Sequence, residues 1–299
     1  TYYNFFMKAL RQNEEIEIND FPTKEIFNAS VLKNKFDIIL LWENNDYGMP
    51  SEIRGIQELD IPVIAKGADP AGAKKSIKFH KKWKIDYYFH FHHKDFFHEQ
   101  YPANFKFKTI IFGIESKLYE NLTPFNKRIS NKILNSGNVG NMKITSRIIN
   151  KIKNPKWNAL RCYKLRTLCN NLPCVDYTFT LQHEYVGDKY PLLLQKYCSA
   201  IAACTYNPLI KFWEIPAAGC LTFMEITKKN RGEFLGYEDG KTAIFIDENN
   251  YSEKFDEYLS DSQNNKWKKI ANAGREYTLK NFTNKKAVES LVELMKKLL

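Results

Sequence analysis

The sequence has six cysteines but no Cys-x-x-Cys pair, and all six lie in its second half. That excludes a zinc cluster built on paired thiolates. Cys198, Cys204 and Cys220 sit in apolar runs and read as buried thiols, which fits a reducing compartment. No apolar run approaches the roughly 20 residues needed to cross a bilayer. The opening Thr1-Tyr2-Tyr3-Asn4 lacks the charged region of a secretion signal and reads as the start of a helix, so a leading strand is expected to be missing. These absences together give a cytoplasmic expectation. A concentrated block of one charge is also not evident: 45 Lys and Arg against 34 Asp and Glu leave a net +11, with lysines interleaved among acids. This pattern argues against nucleic acid as the partner and favours an anionic substrate or peripheral contact with an acidic membrane.

What is present points to a folded protein. Hydrophobic residues make up 43% and aromatics 14%, which excludes disorder for the bulk of the chain, and 299 residues suffice for two domains with separate cores. In the first half, helix-like Tyr2 to Gln12 leads to the alternating Glu15-Ile16-Glu17-Ile18. Strands are expected at Phe36–Trp42, Ile61–Ala65, Asp86–Phe91 and Lys108–Phe112, with helices after Pro50 and over Ala73–Trp83. Strands recurring with helices between them predict a parallel, doubly wound sheet, whose ligands sit at the carboxyl ends of the strands. The residues just past those ends include Glu43 to Asp46, Asp69-Pro70, His92-His93 and Gly113-Ile114-Glu115.

The second half restarts after a polar stretch around Leu118 to Ser130. Lys132-Ile133-Leu134 predicts a strand, Asn135 to Asn141 a glycine loop, and Ile144 to Ile152 a helix. A glycine loop between strand and helix lets backbone N–H groups approach a phosphate. Helices are expected over Trp157–Asn171, where Arg161 and Arg166 read as surface charges, and over Asp188–Tyr197. The most informative stretch follows the apolar strand Ser199 to Cys204. Asn207 is an N-cap residue, Pro208 suits a first helical position, and Gly219 is a stop before the strand Leu221 to Met224. A helix starting there would offer N–H groups to phosphate, Lys211 would add a full charge, and Glu214 could accept hydrogen bonds from the paired hydroxyls of a ribose. Both side chains also fit the solvated face of an amphipathic helix. Beyond Ala243 to Asp247, a strand, the chain reads as helices Tyr251–Leu259, Lys266–Lys280 and Lys285–Leu299.

Four of the six histidines fall between His90 and His98. His90 and His92, two apart on a strand, form a workable metal pair, but His90 is flanked by aromatics and reads as a core residue. No metal is expected. His92 or His93 suits an acid, base or phosphate contact.

Phe212-Trp213-Glu214-Ile215-Pro216-Ala217-Ala218-Gly219 resembles the FE-(I/A)-x-A-x-G pattern of GT-B glycosyltransferases, in particular the group-1 and CgeB-like families. Gly113-Ile114-Glu115-Ser116-Lys117-Leu118-Tyr119, Asp69-Pro70 and Glu238-Asp239-Gly240-Lys241 are similar to further family patterns, in the right order. The resemblance implies two Rossmann-like, doubly wound α/β domains facing across a cleft, with the last helix crossing back. Their expected bounds are 1–120 for an acceptor-side domain, 121–131 for a linker, 132–284 for the donor domain and 285–299 for the crossing helix. It implies transfer of a sugar from a nucleotide-diphosphate donor of UDP or GDP type to an acceptor, without cofactor or metal. Glu214 would hold the ribose, with Tyr206, Asn207 and Lys211 in the donor site. Tyr206 stands where group-1 enzymes carry a second glutamate. Gly137 matches the family glycine and Lys143 the lysine six positions on; Asn138 replaces the usual arginine, and Arg147 fits the later CgeB-like arginine, so Lys143 and Arg147 would clamp the diphosphate. Asp69 or His93 would be the base if the reaction inverts.

Overall fold

The computed structural model describes residues 2–22, 25–42, 50–70, 72–153, 158–178, 185 and 187–299. The chain divides into two compact units. One comprises Lys8–Phe112 with Lys285–Leu299, the other Thr1–Met7 with Gly113–Asn284.

The first unit contains strands β1 (Ile26–Asn28), β2 (Ile39–Leu41), β3 (Glu52–Arg54), β4 (Val63–Lys66), β5 (Tyr87–His90) and β6 (Phe107–Thr109). β2, β4, β5 and β6 form a parallel sheet in that order, while β1 and β3 make a separate parallel pair. Helix α1 (Tyr2–Arg11) precedes the strands, and helices α2 (Ala73–Lys82) and α3 (Lys94–His98) follow β4 and β5. The core is aromatic: Phe97 stacks on Tyr101 and on Phe107 with ring centroids 4.2 and 4.0 Å apart, beside buried Trp83 and Tyr88. Among the described residues the run Glu15 to Ile18 joins no sheet: Glu15 lies in a turn and Ile16 to Ile18 in no regular element. After Pro50 the expected helix is replaced by β3, in which Ile53 is buried between outward Glu52 and Arg54; Gly55, at φ 74°, ends it. The stretch from Glu43 to Asp46 lies outside the described residues.

The second unit holds β7 (Ile129–Ser136), β8 (Val175–Thr178), β9 (Tyr197–Ala202), β10 (Leu221–Glu225) and β11 (Ile244–Ile246), all parallel, in the order β11-β10-β9-β7-β8. Its helices are α4 (Ile144–Lys153), α5 (Ala159–Cys162), α6 (Lys164–Cys169), α7 (Tyr190–Leu194), α8 (Lys211–Ala217), α9 (Tyr251–Ser260) and α10 (Asn265–Asn281). From β7 the chain first moves outward to β8 and then crosses back to β9 on the other side. The strand order therefore reverses between β7 and β9, and an open sheet of this kind leaves a crevice at their carboxyl ends. The helix expected over Trp157–Asn171 is two short pieces, with Trp157 itself outside the described residues. The helix expected over Asp188–Tyr197 shrinks to α7, because Pro191 fits only a first turn, and Tyr197 already belongs to β9.

Cys198, Cys204 and Cys220 are free and buried, their thiols pushed up by desolvation to about 11, 12 and 12. Among the described residues no helix is long and apolar enough to cross a membrane.

Glu225 ends β10 as a carboxyl group only 3% exposed, and its Oε2 has no hydrogen-bond partner. Burial, helped by Glu248, pushes its pKa up to about 7. Below pH 4.5 it is neutral in folded and unfolded chains alike and costs nothing. Between 4.5 and 7 the unfolded chain ionises first, so stability falls as pH rises and levels off above 7. Glu225→Gln should therefore raise the melting temperature at pH 8, by at most about 3 kcal/mol of stability, and change little at pH 4. Melting curves at the two pH values check this; an equal gain at both would assign the effect to packing.

Candidate functional site

The crevice between β7 and β9 is lined by Ser136 and Gly137 from the end of β7 and by the segment that leads from β9 into α8. Gly137 turns at φ 94°, a conformation that favours glycine, and its N–H donates to Thr178 O at 2.8 Å. Helix α8 sets the rest. It buries Phe212, Trp213, Ile215, Pro216 and Ala217 against the unit's core, which leaves Lys211 and Glu214 on its half-buried side. Its far end is pinned: Gly219 turns at φ 69°, and the buried Arg128 guanidinium donates to Ala218 O at 2.9 Å and Gly219 O at 3.1 Å.

Lys211 joins the two sides of the crevice. Its Nζ donates to Ser136 Oγ at 3.0 Å and to Tyr190 OH at 2.9 Å, while Ser136 Oγ and Tyr190 OH lie 2.5 Å apart. Glu214 sits one turn along the helix, and its carboxylate accepts no hydrogen bond from the described residues, so both carboxylate oxygens remain available. Burial raises the Glu214 carboxyl above the ordinary carboxylate range, with Lys211 pulling it back. Burial also lowers the Lys211 ammonium, and Arg166 adds to that pressure. Arg166 is not a surface charge. It is 1% exposed, its Nε donates to Asn135 Oδ1 at 3.2 Å, and its guanidinium also donates to Ser136 O. It fixes the end of β7 from below, and Asn135 Nδ2 returns a bond to Arg166 O at 3.0 Å.

The structure corrects the expected helix start. α8 begins at Lys211, and Ile210 rather than Asn207 precedes it. The buried Asn207 side chain donates to Pro208 O at 3.0 Å instead of capping a helix. A seven-residue helix that begins there has no terminus at Asn207 to aim at a phosphate. Tyr206 lies under Lys229, whose Nζ is 4.8 Å from the ring centroid. Lys143 and Arg147 flank the start of α4, joined by the backbone bond from Arg147 N to Lys143 O at 3.0 Å; both side chains are exposed, and no hydrogen bond or ion pair ties either to the Lys211 cluster. Ser136, Tyr190 and Arg166 were not marked by the sequence as site residues. Ser136 adjoins Gly137 on a strand end, which was a usable signal; Arg166 and Tyr190 come from distant helices, and nothing local announces their burial.

In the first unit, Asp69 follows β4, and His90 and His92 end β5 and its exit. His90 Nε2 is 4.0 Å from Asp69 Oδ1, and the Asp69 side chain is 74% exposed. His93 does not join them. Its Nδ1 accepts from Asp95 N at 3.2 Å and caps α3. Burial, with Lys66 nearby, keeps both buried rings neutral, His92 at about 3. Asp69, His90 and His92 each bring a ligand atom to within 4.8 Å of the others, so a cation is the group to test there. The imidazoles, however, stack at 4.0 Å with planes 27° apart. A metal bonds an imidazole nitrogen along its in-plane lone pair, and two planes this nearly parallel share no point close to both nitrogens. The neighbouring Lys66 ammonium opposes a cation further. These residues fit a metal poorly.

No protein-family model matches the chain, and no curated protein matches its sequence. Its fold does match solved structures. Anabaena HepE, solved with UDP and glucose, superposes with a TM-score of 0.57 at 12% identity, over 87% of this chain and 78% of that one. A glycosyltransferase from Rickettsia africae gives 0.54 at 13% identity, over 95% and 84%. Sucrose-phosphate synthase from Thermosynechococcus elongatus gives 0.52 at 10% identity, over 81% and 69%. The chain thus has the mixed α/β, parallel-sheet fold of the GT-B glycosyltransferases.

Proposed function

We propose that this protein is a glycosyltransferase that moves a sugar from a nucleotide-diphosphate donor, of UDP or GDP type, to an acceptor such as a glycan, lipid or protein. The observation that carries the reading is Glu214: an open carboxylate, beside an ammonium held by Ser136 and Tyr190, at the point where the strand order reverses. Paired ribose hydroxyls suit that carboxylate as donors. The charge that builds on a departing diphosphate is met by Lys211, by the Gly137 loop and by Lys143 and Arg147, which become available if α4 closes on the donor. HepE, which was solved with UDP and glucose, supports the donor class by fold. In this reading the first unit serves the acceptor, Asp69 is the base of an inverting transfer, and neither metal nor cofactor takes part. His93, committed to capping α3, passes that role to Asp69.

A second reading is favoured by Tyr206. Where group-1 enzymes place a glutamate, this chain has a tyrosine engaged by Lys229, which fits a protein that binds a nucleotide sugar without turning it over.

A thermal-shift screen of UDP, GDP and their sugars tests the binding common to both readings. A ligand at a hundredfold excess over its Kd stabilises by about 2.7 kcal/mol. One base should raise the melting temperature and the other should not. No shift with any nucleotide would remove the proposal.

A further inference from the structure

Helix α4 turns its apolar side to solvent. Ile144, Ile148, Ile149 and Ile152 are 73, 56, 51 and 75% exposed, and Met142 just ahead of them is 50% exposed. Five of the eleven large apolar side chains exposed among the described residues fall in this one stretch. At about 100° per residue, the four isoleucines occupy one arc of roughly 140°. Ser146, on the opposite side of the helix, is half-buried. A surface helix ordinarily does the reverse, packing its apolar stripe inward.

The sequence on either side of this helix is one-sided in charge. Between Glu120 and Asp176 the sequence contains no acid and eleven Lys and Arg residues, among them Lys143, Arg147, Lys151 and Lys153. The lysines are therefore not interleaved with acids throughout, as the whole-chain balance suggests. An apolar arc beside the exposed Lys143 and Arg147, in a segment whose sequence holds no acid, matches a surface that is oily inside and anionic at its rim. A nucleic-acid backbone would use the cations but not the isoleucines. A second copy would bring the same cations against themselves.

We propose that α4 is a docking helix for an anionic lipid bilayer, its isoleucine arc entering the acyl boundary while the flanking cations meet headgroup phosphates. The proposal stands on this surface alone and does not rest on the donor reading.

Cosedimentation of the whole protein with lipid vesicles tests it. Phosphatidylcholine vesicles carrying about 30% phosphatidylglycerol should bind at least about tenfold more protein than pure phosphatidylcholine. The triple variant Ile144→Asp, Ile148→Asp, Ile152→Asp should lose that binding by about tenfold or more, while the triple leucine variant, which keeps the apolar area, should retain it. The melting temperature and circular dichroism of the ligand-free aspartate variant should match wild type, which shows that it folds; if it does not fold, Ile148→Asp alone replaces it. Equal binding to neutral and anionic vesicles, or full binding by the aspartate variant, would overturn the proposal. So would light scattering that shows a dimer which the aspartates split, because the arc would then be covered by a second copy.

Discussion

Glu214→Ala is expected to weaken nucleotide-sugar binding by about 1.5–3 kcal/mol, the worth of hydrogen bonds to a charged acceptor, or roughly ten- to a hundredfold in Kd. The fold should survive. The Glu214 carboxylate makes no hydrogen bond among the described residues, and burial already disfavours its charged form, so its removal leaves no orphaned protein partner except the weakened attraction on Lys211. Glu214→Gln separates charge from shape: an amide still accepts one hydrogen bond and should recover part of the affinity. Calorimetric titration of the two variants reads both effects. Unchanged affinity in Glu214→Ala would make Glu214 an ordinary half-buried helix residue.

The second large effect divides the work between the units. Asp69→Ala should leave donor affinity close to wild type and reduce transfer by about 10²–10⁴, the usual contribution of a positioned base. A purely structural role is a poor alternative, because the turn after β4 is closed by the Asp69 carbonyl, which accepts from Gly72 N at 2.7 Å, while the carboxylate stands in solvent. Arg147→Ala should do the opposite, raising the donor Kd and slowing turnover together, since its charge would meet the leaving diphosphate. The Arg147 side chain is exposed and makes no hydrogen bond or ion pair among the described residues, so neither change can be traced to a lost fold. Affinity that falls in Asp69→Ala and holds in Arg147→Ala would reverse the assignment of donor and acceptor units.

Much of this arrangement was legible in the sequence because it rests on local periodicity. The apolar runs at Val63, Tyr87, Ile133, Ser199 and Leu221 are strands buried on both faces, and such runs announce themselves without knowledge of their neighbours. The short edge elements were not legible. β3 has three residues and one buried side chain, and β8 is only half-buried along its length, so neither carries a period long enough to read. The start of α8 was misplaced for a related reason: Asn207 and Pro208 have the chemistry of a helix start, yet burial of Asn207 redirects its amide to Pro208 O. Glu214 and Lys211 were found because a motif carries them. Arg166, Ser136 and Tyr190 come from three separate elements and meet only through the β7–β9 crossover, which no local pattern encodes. The histidines show the same limit: His93 looked available beside His92, but its position at the start of α3 makes it a cap.

The most direct test of glycosyl transfer is release of nucleoside diphosphate from a panel of UDP- and GDP-sugars, measured in EDTA with lipid and glycan fractions as acceptors. Release is expected from sugars of a single base, unaffected by the chelator, and is expected to be lost in both Glu214→Ala and Asp69→Ala. A nucleotide sugar that binds tightly and releases no diphosphate with any acceptor would contradict it, and would leave Glu214 and Lys211 as the binding site of a protein that does not catalyse transfer.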